Sequence, residues 1–178
     1  LTGLLAAIAL NLSVVGAPAL AQDAAAGAKK AAMCIGCHGI PGYQATFPSV
    51  YKVPMISGQN AEYIKASLAA YASGERKHPT MRGISGSLSD KDMADLGAYY
   101  AAQAGAAAPE AVPAPSERVK QMLDKGGCVG CHGANFSKPA APNQPKIAGQ
   151  HADYLYETLK AYKSAGSVLG RGNAIMGN

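Results

Sequence analysis

The chain has 178 residues, with 16 basic and 11 acidic side chains, four cysteines and no tryptophan. That length accommodates one or two small domains, each too small for a comfortable core unless something besides side chains supplies apolar volume. The formal charge of +5 is spread evenly, with eight basic and six acidic side chains in residues 23–108 and eight and five in 109–178. No run of Lys or Arg forms a patch, which argues against a nucleic-acid partner.

Residues 1–21 are uncharged and dominated by Leu, Ala, Ile and Val. Ala19-Leu20-Ala21 then forms a small-residue cleavage signal before Gln22, so the segment is expected to be the end of a secretory leader. The rival expectation is an uncleaved membrane anchor, because about 20 apolar residues can span a bilayer. Asp23 is expected to cap a helix over residues 24–33 that runs into Cys34-Ile-Gly-Cys37-His38.

Pro54 precedes a segment in which Ile64, Leu68 and Tyr71 recur at helical spacing, with Gly74 placed to end the helix. A loop carrying His78 and Met81 follows. Ser89 and Asp92 have capping-box spacing ahead of a last helix whose apolar stripe is Met93, Leu96 and Tyr100. Residues 104–115, rich in Ala, Pro and Gly, read as a linker. Ser116 then caps a helix with Val119, Met122 and Leu123 on one face, which leads into Cys128-Val-Gly-Cys131-His132.

The second unit repeats the first. Pro54-Met-Ile-Ser-Gly-Gln59 matches Pro145-Lys-Ile-Ala-Gly-Gln150, and Leu155, Leu159 and Tyr162 repeat the helical stripe at one constant offset. Gly166 is expected to end that helix. Ser167-Val-Leu-Gly170 reads as an insertion before Asn173-Ala-Ile-Met176, the counterpart of the Met81 loop. The repeat predicts a further helix beyond Asn178, equivalent to the one that closes the first unit. The expected organisation is a leader or anchor at 1–21, domains at 22–103 and 116–178, and a linker at 104–115, all helical.

The two pentapeptides use every cysteine in the chain. Cys-x-x-Cys-His is the attachment pattern for c-type haem: two sulfurs one helical turn apart form thioethers to the porphyrin, and the next residue ligates the iron. A zinc ribbon would set its pairs about 15–20 residues apart; here Cys128 lies 94 positions after Cys34. A thioredoxin-like pair would need strands around it, whereas two disulfides in a secreted protein stay open as the alternative. Two covalent haems are therefore expected, bound at Cys34, Cys37, Cys128 and Cys131 and ligated by His38 and His132, in a periplasmic electron carrier. Their propionates would carry the holoprotein from its basic balance towards neutrality.

The sixth iron ligands are expected to be Met81 and Met176, which lie at matching places in the repeat. Methionine raises the reduction potential and closes the iron to substrates. Met55 is matched by Lys146, and Met93 falls on a core stripe. His78 has no histidine counterpart and is assigned to the surface or the propionate side, and His151 to the start of a helix. Pro54 and Pro145 are candidates to orient the ligand histidines through their carbonyls, since such histidines bond a second group through the other ring nitrogen.

The paired haem motifs, the Pro-x-Ile-x-Gly-Gln segments, Asn-Ala-Ile-Met and Leu-Ser-Asp-x-Asp-Met-Ala-Asp-Leu together resemble the dihaem cytochrome c4 family over nearly all of residues 23–178. The resemblance implies two tandem class I cytochrome c domains, each wrapped around one haem and related by a pseudo-twofold axis. It pairs His38 with Met81 and His132 with Met176, with the carbonyls of Pro54 and Pro145 accepting from the histidines. It also implies electron transfer from a quinol-oxidising bc1-type complex to a terminal haem–copper oxidase. The alternative is the cytochrome subunit of a periplasmic dehydrogenase, such as a flavocytochrome sulfide dehydrogenase. A dihaem peroxidase would need an open iron position, which two methionine ligands deny.

Overall fold

The computed structural model describes residues 22–47, 49–104 and 114–177. The expected leader, 1–21, and most of the expected linker lie outside the described residues.

The first unit contains α1 (Ala24–Lys30), α2 (Ala32–His38), α3 (Ala61–Ser73), α4 (Pro79–Ser85) and α5 (Asp90–Ala101). Two very short strands, β1 (Gln44–Ala45) and β2 (Tyr51–Lys52), pair antiparallel with Ala45 opposite Tyr51. Local chemistry sets the helix starts. The Asp23 carboxylate accepts from the N–H groups of Ala25 and Ala26 at 2.8 and 3.1 Å, satisfying donors that have no partner inside the helix. Ser89 and Asp92 form the full reciprocal capping box at α5. The helix expected over 24–33 is instead broken at Ala31, whose N–H is shared between Gly27 O and Ala28 O at 2.9 and 3.3 Å. This tightened turn re-aims α2, and with it the cysteines.

The apolar stripes meet as their spacing requires. Ala31, Ile64, Leu68, Met93, Leu96 and Tyr100 form one buried cluster, with Cys34, Met81 and Leu88 packed against it. Helix α5 is central, lying against both α1 and α3. Its approach to α1 depends on Gly27, where a Cβ would collide with the Asp95 carbonyl.

The second unit contains α6 (Glu117–Gly126), α7 (Cys128–His132) and α8 (Ala152–Lys163). Ser116 caps α6 through a 3.4 Å bond from Val119 N–H, and Gly127, at φ +61°, turns the chain into α7. Val119 and Met122, on the expected apolar face of α6, are exposed. Helix α8 ends at Ser164, not at the expected Gly166. No helix among the described residues is long and apolar enough to cross a membrane.

The two units meet along a seam whose contacts come in reciprocal pairs, as around a two-fold axis. Gln59 Nε2 donates to Lys146 O and its Oε1 accepts from Lys146 N–H, at 2.8 and 2.9 Å. Gln150 makes the same pair of bonds to Met55 O and N–H, at 2.9 and 3.1 Å. Arg76 and Arg171 pair as an antiparallel bridge, and β2 reaches α8 through Lys52 N–H on Asp153 Oδ2 at 2.9 Å. Gly58 and Gly149, at φ +73° and +75°, make the left-handed turns that send each glutamine across.

Candidate functional site

Both pentapeptides fold as helix. α2 and α7 therefore set Cys34 and Cys37, and Cys128 and Cys131, one turn apart, with the histidine as the last residue of each helix. All four cysteines are free thiols at partly buried positions. Among the described residues no three His, Cys, Asp or Glu side chains gather into a metal-holding group.

Each histidine is held from behind. His38 Nδ1 lies 2.8 Å from Pro54 O, and His132 Nδ1 lies 2.9 Å from Pro145 O. A carbonyl only accepts, so Nδ1 carries the ring proton and Nε2 keeps its lone pair. Burial holds the His38 imidazole below its ordinary pKa, with the Pro54 bond working in the opposite direction. Neutral His38 is therefore the prevailing form at neutral pH, as an iron ligand requires. His132 is itself buried, at 8% exposure.

This donor set fits a covalent haem: two thiols a turn apart and an imidazole with one nitrogen fixed and the other available. Ile40, Phe47 and Val50, close in sequence to the first motif, are apolar side chains left 50, 65 and 66% exposed.

Met81 lies on α4 and not in the loop expected for it, and it packs against the same cluster as Cys34. Pro79 begins that helix, and His78 caps it by accepting Met81 N–H at Nδ1, 3.3 Å away. In the second unit Asn173 Oδ1 accepts from Ile175 and Met176 N–H at 3.0 and 2.9 Å. His78 and Asn173 thus play one role, capping the turn that carries the methionine. His78 Nε2 is also engaged, 3.0 Å from Tyr51 OH, so both of its ring nitrogens have partners and it is half-buried rather than on the surface. Met93 is buried in the core at 4% exposure. Met55 offers its backbone, not its sulfur, to the other unit, and His151 stands at the N-cap of α8.

Sequence reasoning missed three features: the methionine-turn caps, the crossed glutamines and the paired arginines. The signal for the last two was present, since Gln59 and Gln150, and Arg76 and Arg171, recur at matching places in the two units. The four-residue insertion hid the arginines by changing the offset.

Comparison with known proteins agrees with this geometry. The family described as Cytochrome c matches residues 116–177. Cytochrome c4 of Azotobacter vinelandii is 32% identical, over 97% of this chain and 87% of its own. A thiosulfate dehydrogenase electron acceptor of Thiomonas intermedia (strain K12) is 30% identical, over 82% of this chain and 71% of its own. Among solved structures, reduced recombinant cytochrome c4 from Pseudomonas stutzeri superposes with a TM-score of 0.63 at 27% identity, covering 88% of this chain and 87% of that one.

Proposed function

This chain belongs to the cytochrome c4 family of dihaem electron-transfer proteins, and we propose that it carries electrons between a quinol-oxidising complex of bc1 type and a terminal haem–copper oxidase. In this reading the haem of the first domain, 22–103, is bound at Cys34 and Cys37 with His38 and Met81 on the iron. The haem of the second, 116–178, is bound at Cys128 and Cys131 with His132 and Met176 on the iron. Residues 1–21 direct the chain to the periplasm, as a cleaved leader or as an anchor on the inner membrane.

The observation that carries the reading is the matched pair of oriented histidines, each with Nδ1 on a proline carbonyl and Nε2 left for the metal. The haem supplies one-electron redox chemistry; the chain's own groups decide what kind of site surrounds it. Cys34, Cys37, Cys128 and Cys131 would hold the porphyrins through thioethers, and methionine ligation would close each iron and raise its potential. Both His78 nitrogens are hydrogen-bonded within the protein, which supports the choice of Met81 over His78 for that part. Contacts with redox partners are expected to be small and transient.

The test is turnover. The full-length holoprotein should be reduced by a bc1-type complex supplied with quinol and reoxidised by membranes containing a haem–copper oxidase. Failure of both half-reactions would sink the proposed partners.

A second reading is favoured by the likeness to a thiosulfate dehydrogenase electron acceptor: the chain accepts electrons from a periplasmic dehydrogenase of reduced sulfur compounds. Fast reduction by such a dehydrogenase, with none by the bc1-type complex, would select it.

A further inference from the structure

The proline carbonyls that face the two histidines belong to peptide groups engaged at both ends. The peptide joining Pro54 to Met55 accepts at its oxygen from His38 Nδ1–H, at 2.8 Å, and donates its N–H to Gln150 Oε1, at 3.1 Å. The peptide joining Pro145 to Lys146 accepts from His132 Nδ1–H at 2.9 Å and donates to Gln59 Oε1 at 2.9 Å. In each case the glutamine comes from the opposite unit.

The glutamines are themselves fixed. Gln150 Nε2 donates to Met55 O at 2.9 Å, and Gln59 Nε2 to Lys146 O at 2.8 Å. Each Oε1 also accepts the N–H of the next residue, His151 or Asn60, at 3.0 Å. Gln59 is buried, at 8% exposure. One departure from symmetry reinforces the second clamp: Lys146 Nζ donates to Gly58 O at 2.7 Å, an arrangement its counterpart Met55 cannot make.

An amide that donates through its N–H becomes a stronger acceptor at its oxygen, by about 10–30% per bond in a hydrogen-bonded chain. A stronger acceptor draws the Nδ1 proton further and gives the imidazole more anionic character. Its Nε2 then becomes a better donor to a metal, which favours the ferric state. We propose that Gln150 and Gln59 are crossed positioning residues. Gln150 tunes the iron ligated by His38, and Gln59 tunes the iron ligated by His132. Docking of the two units is then an input to both potentials, carried by two named peptide groups. The inference rests on the assignment of the two histidines as iron ligands.

The test uses the full-length holoprotein, with spectroelectrochemistry to follow potentials and NMR resonances of each haem to tell them apart. Gln150→Met keeps length and volume but removes both hydrogen bonds to Met55 and the one from His151 N–H. It should raise the potential of the haem at Cys34 and Cys37, changing its oxidised-to-reduced ratio at fixed poise by about threefold, or roughly 30 mV where tenfold is about 59 mV. The haem at Cys128 and Cys131 should hold. Gln59→Met should do the reverse. Gln150→Glu keeps an acceptor for Met55 N–H, with added negative charge, and should lower the potential that Gln150→Met raises; it also carries the test if the methionine variant fails to fold.

A shift on the same side as the substitution, an equal shift of both haems, or a joint fall of both potentials would overturn the inference. The joint fall is what water entering a loosened seam would produce. Wild-type spectra with histidine on both irons and no crossed shift overturn this inference alone. Spectra lacking a histidine ligand overturn it together with the ligand assignment.

Discussion

Arg76 and Arg171 pair back to back across the seam, with Lys77 N–H donating to Gly170 O at 2.8 Å and Gly172 N–H to Glu75 O at 3.0 Å. Both residues are buried, at 8 and 7% exposure. Among the described residues no carboxylate lies within ion-pair distance of either guanidinium. Tyrosines meet the charges instead: Arg76 Nη2 donates to Tyr63 OH at 3.2 Å and Arg171 Nη2 to Tyr154 OH at 3.1 Å. Ring faces complete the arrangement, Tyr71 lying 4.9 Å from the Arg76 guanidinium and Tyr162 5.6 Å from that of Arg171.

Removing one of these hydroxyls should therefore be costly. Tyr63→Phe keeps the ring and its cation–π contact but leaves a buried guanidinium N–H short of an acceptor. A hydrogen bond to a charged group contributes about 1.5–3 kcal/mol, and a loss of that size is expected. Tyr154→Phe should cost about the same. The double variant should depart from the sum, because the four groups share one cluster. Denaturant unfolding of the holoprotein measures all three.

Haem stoichiometry follows from the cysteines. Changing Cys34 and Cys37 together to Ala should halve the covalent haem per chain in a pyridine haemochrome assay and leave the second haem attached. Retention of the full amount would mean that the first pair does not hold a haem.

Met81→His should replace a thioether with an imidazole on the iron, lowering the potential of that haem alone. The methionine-to-iron charge-transfer absorption of the ferric protein should fall by about half, one of two such ligands being lost. An unchanged absorption would remove Met81 from the ligand set.

Acid should loosen the first unit through Asp92. A hydrogen bond from Lys30, together with bonds from Ser89, holds its carboxyl at about 2, below the ordinary value of 3.8. Because the folded pKa is depressed, the stabilisation is fully present above about 4 and is lost as pH falls towards 2. Asp92→Asn should flatten that part of the stability curve while changing little in its slope above pH 5. Unfolding midpoints measured between pH 2 and 6 check this.

Gly27→Val should destabilise the first unit by about 1–3 kcal/mol or more, since overpacking forces backbone shifts. The added Cβ meets the Asp95 carbonyl on α5. Thermal unfolding of the variant holoprotein gives the value, and a loss under about 0.5 kcal/mol, the range of ordinary surface changes, would show that α1 can move aside.

What could be read in advance was whatever short-range chemistry decides. The caps at Asp23, Ser89 and Ser116, the stripe Ile64–Leu68–Tyr71 and the left-handed Gly74 all follow from residues within a few positions. The helix under Met81 did not, because a proline at a first turn and a histidine cap imitate loop signals, and the break at Ala31 carries no side-chain cap to announce it. Gly166 misled for a related reason: the insertion after it changes the exit of α8, which ends on Ser164. The seam was out of reach in a different way. Its partners lie 84 to 101 positions apart, and nothing local tells Gln59 that its acceptor is Lys146. Only the recurrence of the same residues in both copies marked them.

In the proposed reading both haem irons are closed by histidine and methionine, so that the protein carries electrons and leaves no open position for a reaction at either iron. Low-temperature spectra of the full-length ferric holoprotein test it most directly. Two low-spin irons per chain are expected, both with the methionine-to-iron charge-transfer signal. One high-spin or bis-histidine iron would contradict it and would point to a different task for that haem.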